Sequence, residues 1–203
     1  MIIMMTIPLF PLNTVLFPGG QLPLKIFEVR YLDMISECLR TGQQFGVCLI
    51  SSGKEVGGSA ECYEIGTLAK IIDWDKRDDG ILEIVVEGQQ RFRLLEKRER
   101  ANQLAEGDVQ LIDDEDDCEE LPVEYQLLSD LLRQIAEKFE LSYQKEHEKY
   151  ENAVWVGYRL SEVLPLESEE RQELLEIDDV MNRLQHIQDA IEDVTAEEET
   201  PDS

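Results

Sequence analysis

The hydrophobic period of the chain becomes helical throughout after the acidic run DDEDDCEE of residues 113–120. Before this run, apolar residues come in short stretches bounded by glycine, proline or charged turns, which is typical of strands. After it, they recur every three or four residues, which is typical of amphipathic helices. Because a block of like charges resists packing, the run predicts a boundary between two domains of different class. We therefore expect an α+β protein.

The first part predicts a compact barrel or curled sheet with one early helix. The helix is expected over Glu28–Arg40, with Gly42 as its C-terminal cap. The prolines of Met4–Leu12 favour an edge strand over a central one. The expected strands are Met4–Leu12, Thr14–Phe17, Leu22–Ile26, Phe45–Ile50, Ile65–Asp75, Ile81–Glu87, Gln90–Glu96 and Val109–Ile112. A Gly/Ser loop is expected at 51–59, and a tight turn at Asp79-Gly80.

The second part predicts a helical bundle. Ser168 and one of Asp178 or Asp179 are the expected helix N-caps. The apolar stripes expected in its core are Leu128, Leu131/Leu132, Ile135 and Phe139; Val154, Trp155, Tyr158 and Val163; and Val180, Leu184, Ile187 and Ile191. We thus predict a β-rich domain over 1–117, a helical bundle over 121–194 and a disordered acidic tail over 195–203.

The charge distribution narrows the classes of partner. Residues 1–100 carry 12 basic and 14 acidic side chains, whereas residues 101–203 carry 7 and 31. Because binding to DNA relies on Lys and Arg to neutralise phosphates, the acidic half disfavours it. The uncharged stretch Met1–Leu24 is interrupted by prolines and glycines, so it predicts neither a membrane span nor a secretory signal. A cytoplasmic location and no membrane partner are therefore expected.

Motifs that carry catalysis are missing from the sequence. There is no phosphate-binding loop, no dinucleotide fingerprint and no nucleophile elbow. His147-Glu148 begins like a zinc-protease motif, but the position of the second histidine holds Glu151. The four cysteines show no zinc-ligand spacing, so reduced thiols are expected. A binding module without cofactor or metal is therefore favoured over an enzyme.

Four stretches, in order along the chain, resemble the N-terminal substrate-binding domain of the ATP-dependent Lon protease family. The longest is IPLFPLNTVLFPGGQLPLKIFEVRYLDMISECLRTGQQFGVCLI at 7–50. The others are IGTLAKI at 65–71, VEGQQRFRLLE at 86–96 and LPLESEERQELLEIDDVMNRLQHI at 164–187. The resemblance implies a PUA-like β-barrel followed by a helical bundle. It also implies a polypeptide-binding protein that stands alone, since neither the ATPase nor the Ser-Lys protease module of the family is found here.

The residues that the resemblance suggests for peptide binding each have a structural alternative. Glu28, Arg30 and Tyr31 form either a polar pocket or a junction in which Glu28 caps the helix and pairs with Arg30. Arg91 and Phe92 either bind peptide or close the barrel. The aromatic residues are either core or an exposed apolar surface that would bind unfolded chains, and they are Phe10, Phe17 and Phe27.

Three functions compete at this stage. The first is recognition of exposed apolar segments of unfolded or damaged proteins, in which an edge strand adds a bound segment. The second is an adaptor whose acidic helical half docks a basic partner such as a protease or chaperone. The third, which the net charge disfavours, is RNA binding by analogy with PUA folds, through Arg91, Arg93, Lys97, Arg98 and Arg100.

Overall fold

The computed structural model describes residues 3–55, 60–77, 81–113 and 120–198, with side chains through residue 192. The chain divides into two compact units, Met1–Asp113 and Asp114–Ser203, which we call the barrel unit and the helical unit. Of the features expected from the sequence, the Asp79-Gly80 turn, most of the acidic run and residues 56–59 of the Gly/Ser loop lie outside the described residues.

The barrel unit contains a sheet that closes on itself and one early helix. Five strands form the ring in the order β1–β7–β6–β5–β3, and β3 pairs back to β1, while β2 adds to β6 and β4 to β3. The predicted barrel with one early helix is therefore confirmed. Its elements are β1 (Met4–Leu12), β2 (Gln21–Ile26), α1 (Val29–Thr41), β3 (Phe45–Ser52), β4 (Glu61–Cys62), β5 (Ile65–Lys76), β6 (Leu82–Glu99) and β7 (Ala105–Leu111).

Two strand predictions were wrong. Residues 14–17 form no strand, and Leu16 and Phe17 are buried. The chain turns directly after them, where Gly20 donates its N–H to the carbonyl of Phe17 and both Gly19 and Gly20 hydrogen-bond to Gly88 of β6. Ile81–Glu87 and Gln90–Glu96 belong to the single strand β6, which continues through Gly88.

The first strand lies within the ring and not at an edge, contrary to the prediction. Its first half, Met4–Pro8, pairs antiparallel with β7, and its second half, Leu9–Leu12, pairs parallel with β3. Because each half has one ladder partner in these pairings, the missing N–H of a proline can face away from that ladder. The strand therefore tolerates prolines that a fully paired strand would not.

Helix α1 packs one face into the larger of two apolar clusters of the barrel unit. Tyr31, Met34, Ile35 and Cys38 are its buried residues. Gly42 takes the left-handed conformation, with φ 75°, and donates its N–H to the carbonyl of Cys38 at 2.8 Å, so the predicted C-cap is confirmed.

The helical unit contains four α-helices in its described part, which confirms the predicted bundle. Its α3 is buried along most of its length, on more sides than the single predicted stripe. Asp179 caps the last helix by accepting from the N–H of Asn182 at 2.7 Å, whereas Ser168 is not a cap, since Glu167 and Glu170 form a capping box there. The helices are α2 (Gln126–Lys138), α3 (Ala153–Val163), α4 (Ser168–Glu176) and α5 (Val180–Glu198).

The ends of the helical unit differ from the expected pattern. Helix α5 includes residues 195–198, which we expected to begin the tail, and residues 199–203 lie outside the described part. In α2 the predicted stripe was only half right. Leu128 and Leu132 are buried, but Phe139 is exposed, because the buried face follows Ala136 instead. In the described part of the chain, each helix is too short or too polar to cross a membrane.

Glu162 on α3 gives the helical unit a pH dependence that can be measured. Its carboxylate lies 2.9 Å from the guanidinium of Arg159, and about a quarter of its side chain is exposed. Burial raises the pKa of Glu162 to about 7, against the opposing effect of Arg159 and Arg171. The folded state therefore holds a proton that an unfolded glutamate releases near pH 4.5.

We expect this proton to stabilise the fold below pH 7, so the free energy of unfolding falls as the pH rises from 4.5 to 7. The loss is about 2 kcal/mol, allowing for the exposed part of the side chain. Urea unfolding followed by circular dichroism between pH 5 and 8 measures it. Glu162→Gln should lose this slope, and the exposed Glu169→Gln should keep it; equal slopes in both variants would contradict the assignment.

Candidate functional site

The aromatic and arginine side chains predicted for peptide binding are mostly buried. Five of the eight predicted residues contribute to the core, namely Phe10, Phe17, Tyr31, Arg91 and Phe92. A buried side chain offers no surface to a ligand in this conformation, so any contact surface here must use other residues. Phe27 differs, since 58% of its surface is exposed directly after β2. The binding role of these residues remains a prediction.

The structure brings Glu28, Arg30 and Tyr31 together at the start of α1. The guanidinium of Arg30 pairs with the carboxylate of Glu28 at 3.0 Å and donates to the carbonyl of Gln103 at 3.0 Å. Tyr31 stacks on Phe10 with ring centroids 4.1 Å apart, and burial raises the pKa of its hydroxyl to about 12. Glu28 is the N-cap residue, but its side chain makes no capping hydrogen bond. These contacts support the structural alternative for the junction.

A cavity of about 220 Å³ opens beside Arg30 and Tyr31. It is also lined by Lys54, Lys97 and Arg98. Lys97 pairs with Glu61 at 3.2 Å, and Arg98 lies 2.7 Å from Asp108, whose pKa is lowered by this hydrogen bond. Because most of these cations already hold carboxylates, the cavity does not concentrate positive charge.

The same pairing affects the basic segment considered for RNA. Arg98 and Arg100 both contact Glu106, and Arg93 lies 3.6 Å from Glu64. A phosphate backbone would have to displace these carboxylates before it could be bound. The arrangement therefore gives RNA binding no support.

A free strand edge lies in the barrel unit where β5 and β6 extend as a hairpin. Among the described residues, β5 pairs with β3 only over Thr67–Ala69, and from Lys70 to Lys76 it pairs only with β6. The opposite edge of Lys70–Lys76 is therefore open. Such an edge presents backbone N–H and C=O groups to an incoming chain.

Two large apolar side chains are exposed on this open edge, which we call the hairpin edge (residues 70–76). Trp74 keeps 56% of its surface exposed, and Ile72 is exposed as well. Ile72 lies in the irregularity between Ile71 and Asp73, so it has no partner in β6. Single exposed apolar residues are common, but an exposed tryptophan beside an unpaired edge gives a contact surface for another chain.

A groove of about 390 Å³ runs beside Trp74 across the three neighbouring strands. In the strand register, Trp74 lies opposite Ile84, which in turn lies opposite Leu24. Residues directly opposite one another share a face of the sheet, so these three side chains form one row, in which Ile84 is buried in the core, Leu24 packs against that core and Trp74 is exposed. The groove is lined by Pro23, Leu24, Lys25, Asp73, Trp74, Asp75, Glu83, Ile84 and Val85.

The groove lining carries three carboxylates, Asp73, Asp75 and Glu83, and one cation, Lys25. Glu83 lies 3.8 Å from Lys25 and 3.1 Å from Arg77, and both pairs are exposed to solvent. Asp73 accepts a hydrogen bond from the N–H of Trp74 at 2.9 Å. Since exposed ion pairs contribute little, the apolar side chains dominate what the groove can bind.

Sequence reasoning missed Ile72 and Trp74. The strand itself was predicted, and the segment KIIDWDK places a tryptophan between two aspartates near the end of a strand. This pattern, a large aromatic residue flanked by charges where a strand leaves the core, could have predicted an exposed tryptophan. The missing information was that β3 stops pairing at Ala69, which only the fold shows.

The described residues offer little for catalysis. Within them, His, Cys, Asp and Glu form no group of three that could hold a metal ion. Cys38, Cys48 and Cys62 are free thiols, and burial raises the pKa of Cys38 to about 11.

Comparison with known proteins gives this surface a context. A family model described as the ATP-dependent protease La (LON) substrate-binding domain matches residues 6–193. The chain is similar to the Lon N-terminal domain protein from Xanthomonas campestris, with 38% identity and a TM-score of 0.76 over 90% of this chain and 96% of that one. It also shares the fold of the N-terminal domain of the Mycobacterium avium complex Lon protease, with 16% identity and a TM-score of 0.66 over 91% and 97%.

Longer relatives match along part of their length. Lon protease 2 of Myxococcus xanthus is 33% identical over 120 residues, which are 58% of this chain and 14% of that protein. Lon protease 1 of Hydrogenovibrio crunogenus is 29% identical over 192 residues, which are 89% of this chain and 23% of that protein. The chain thus spans less than a quarter of the length of these curated relatives.

Proposed function

We propose that this chain, which belongs to the family of Lon protease substrate-binding domains, binds unfolded or damaged polypeptides through their exposed apolar segments. The observation that carries the proposal is the hairpin edge, where an open strand edge and an exposed tryptophan lie beside an apolar groove. An extended segment would add to β5 as one more strand, and its side chains would enter the groove.

Backbone pairing accounts for the low sequence selectivity that a binder of unfolded chains needs. Every residue except proline offers the same N–H and C=O groups, so strand addition at Lys70–Lys76 depends little on sequence. An unfolded chain is also free to extend, whereas a folded protein keeps its strands paired. The edge therefore distinguishes unfolded from folded proteins.

The groove supplies the preference for apolar segments. Its volume of about 390 Å³ lies in the range of about 300–1,000 Å³ that is common for ligand pockets. An apolar side chain that packs against Trp74 and Leu24 leaves water and gains about 1.5–3 kcal/mol. Lysines at both ends of the hairpin edge and two aspartates between them hinder pairing between two copies of it.

The affinity for a permanently reduced, carboxymethylated model polypeptide tests the proposal. We expect Trp74→Ser to weaken binding at least about tenfold in fluorescence anisotropy, because the main apolar contact is lost. Since Trp74 is exposed, the variant should keep its stability within about 0.5 kcal/mol. In an NMR titration of the wild type, the amide signals of residues 70–76 should shift.

A matched control is available on the neighbouring strand. Leu95 of β6 is also half-exposed, but it lies away from the groove, so Leu95→Ser should change the affinity less than twofold. Equal affinity of both variants and the wild type, or shifts confined to other residues, would contradict binding at the hairpin edge.

A further inference from the structure

A row of five apolar side chains follows helix α2 and the turn before it, outside the core. Its members recur at every fourth residue, and we call them the apolar ridge: Val123, Leu127, Leu131, Ile135 and Phe139. The exposed fractions of Val123, Leu127 and Phe139 are 88%, 79% and 64%, and Leu131 and Ile135 are half-buried. The ridge therefore presents a continuous apolar row to solvent.

The core of the helical unit does not account for this row. Helix α2 faces the core with a different set of residues, among them Leu128, Leu132 and Ala136. The hydroxyl of Ser129 on the same face donates to the carbonyl of Tyr150 at 2.7 Å, which fixes the rotation of the helix. Because of this contact, the helix cannot rotate to bury the ridge without breaking its own packing.

The spacing of the ridge indicates the kind of element that fits it. Side chains at every fourth residue form the ridges that pack into the grooves of a second helix, with a crossing angle near −50°. From Val123 to Phe139 the row is about 24 Å long, at roughly 1.5 Å per residue. A partner helix of three or more turns could cover its centre.

The charge of the helical unit indicates the charge of the partner helix. Residues 114–203 carry 28 acidic and 7 basic side chains, a net charge of −21. Asp130 and Glu137 are exposed on α2, and Glu124 is exposed in the turn before it. Of the two cations of α2, Arg133 lies over the ring of Tyr150 at 4.5 Å, and Lys138 lies over Phe139 at 5.5 Å. A second copy of the chain, with its own charge of −26, would be repelled.

We propose that the apolar ridge docks a basic amphipathic helix of a partner protein. The apolar face of that helix packs on the ridge, and its lysines or arginines face the acidic surroundings. The ridge belongs to the helical unit and the hairpin edge to the barrel unit, and this docking does not depend on the function proposed for that edge. The helical unit would then connect the barrel unit to a second protein.

The test uses the whole chain and a synthetic helical peptide. The probe is a 20-residue peptide of leucine and lysine with leucines on one face, and its binding is measured by isothermal titration calorimetry. We expect saturable binding that Leu127→Ser weakens at least tenfold and that 0.5 M salt weakens further. Gln134→Ser, an exposed polar change on the same helix, should leave the affinity unchanged, as should Trp74→Ser.

A second peptide of the same composition, with its leucines spread around the helix, separates packing from charge. If it binds as tightly as the first and Leu127→Ser has no effect, the attraction is only electrostatic and the proposal is wrong. If the chain sediments as a dimer that Leu127→Ser dissociates, the ridge binds a second copy and the proposal is equally overturned. If instead the function proposed for the hairpin edge is wrong, Trp74→Ser will not change the affinity for unfolded polypeptide.

Discussion

Gly88→Ala is expected to destabilise the barrel unit by about 3–5 kcal/mol, a large part of the roughly 5–15 kcal/mol that is typical for the free energy of unfolding of a protein. A Cβ at this position would lie 2.1 Å from the carbonyl oxygen of Phe17 and 2.9 Å from the carbonyl carbon. The clash is with backbone, which cannot be relieved by a rotamer change. The methyl group therefore has to push the two segments apart.

The two segments are joined on both sides of the clash. The N–H of Gly19 donates to the carbonyl of Gly88 at 2.8 Å, and the N–H of Gly88 donates to the carbonyl of Gly20 at 2.8 Å. Separating them breaks both hydrogen bonds, at about 1 kcal/mol each, and loosens the buried Phe17. Strain in the tightly packed site adds about 1–3 kcal/mol.

Urea unfolding followed by circular dichroism measures the loss, and Gly42→Ala provides the control. Gly42 has φ 75°, but a Cβ there meets nothing within 4 Å. Gly42→Ala should therefore lower the free energy of unfolding only by the conformational strain of about 1–2 kcal/mol. A Gly88→Ala variant no less stable than Gly42→Ala would show that the crossing at Phe17 does not hold the barrel together.

The alternation of apolar residues was sufficient to predict most elements of the fold. It predicted the strands, the early helix with its Gly42 cap and the change to helices after the acidic run, because local burial patterns carry this information. It did not predict the path of residues 14–17, since their burial against Gly88 is a long-range contact. For the same reason the prolines of β1 suggested an edge, although the strand exchanges one partner for another halfway along.

The candidate surfaces were harder to predict than the fold. An apolar residue in a strand or helix is interpreted as a core residue, because the sequence does not show which side of an element has no neighbour. Phe10, Phe17 and Phe92 were selected as aromatic residues in a matching stretch, yet they are buried. Trp74 and Phe139 were assigned to a strand and a core stripe, yet both are exposed. Exposure depends on where neighbouring elements end, and that is a property of the whole fold.

Arg183 is the clearest buried charge in the helical unit, and its position in α5 could have been noticed. It lies three residues after Val180 and directly before Leu184, so it belongs to the apolar face of the helix. Its Nε donates to the carbonyl of Leu174 at 3.1 Å, and its Nη2 donates to the carbonyl of Ile177. Both carbonyls are at the C-terminal end of α4, where backbone oxygens lack partners within the helix.

The same guanidinium also contacts a third helix. It lies over the ring of Tyr158 on α3, with its carbon 4.2 Å from the ring centroid. One side chain thus joins α3, α4 and α5, and a planar group with several donors is needed to do so. Lysine could donate to one carbonyl, but it could not keep the second bond and the stacked contact.

We expect Arg183→Met to lower the free energy of unfolding of the helical unit by about 3 kcal/mol or more, because two buried carbonyls lose their donors. Arg183→Lys should lose about 2 kcal/mol, since it restores the charge but not the geometry. The exposed Lys145→Met removes the same charge and should stay within about 0.5 kcal/mol of the wild type. Urea unfolding monitored at 222 nm compares the three. If Arg183→Met and Lys145→Met lower the free energy of unfolding equally, the loss of net charge explains the whole effect. If Arg183→Lys is as stable as the wild type, a positive charge without the planar guanidinium is enough to hold the three helices together.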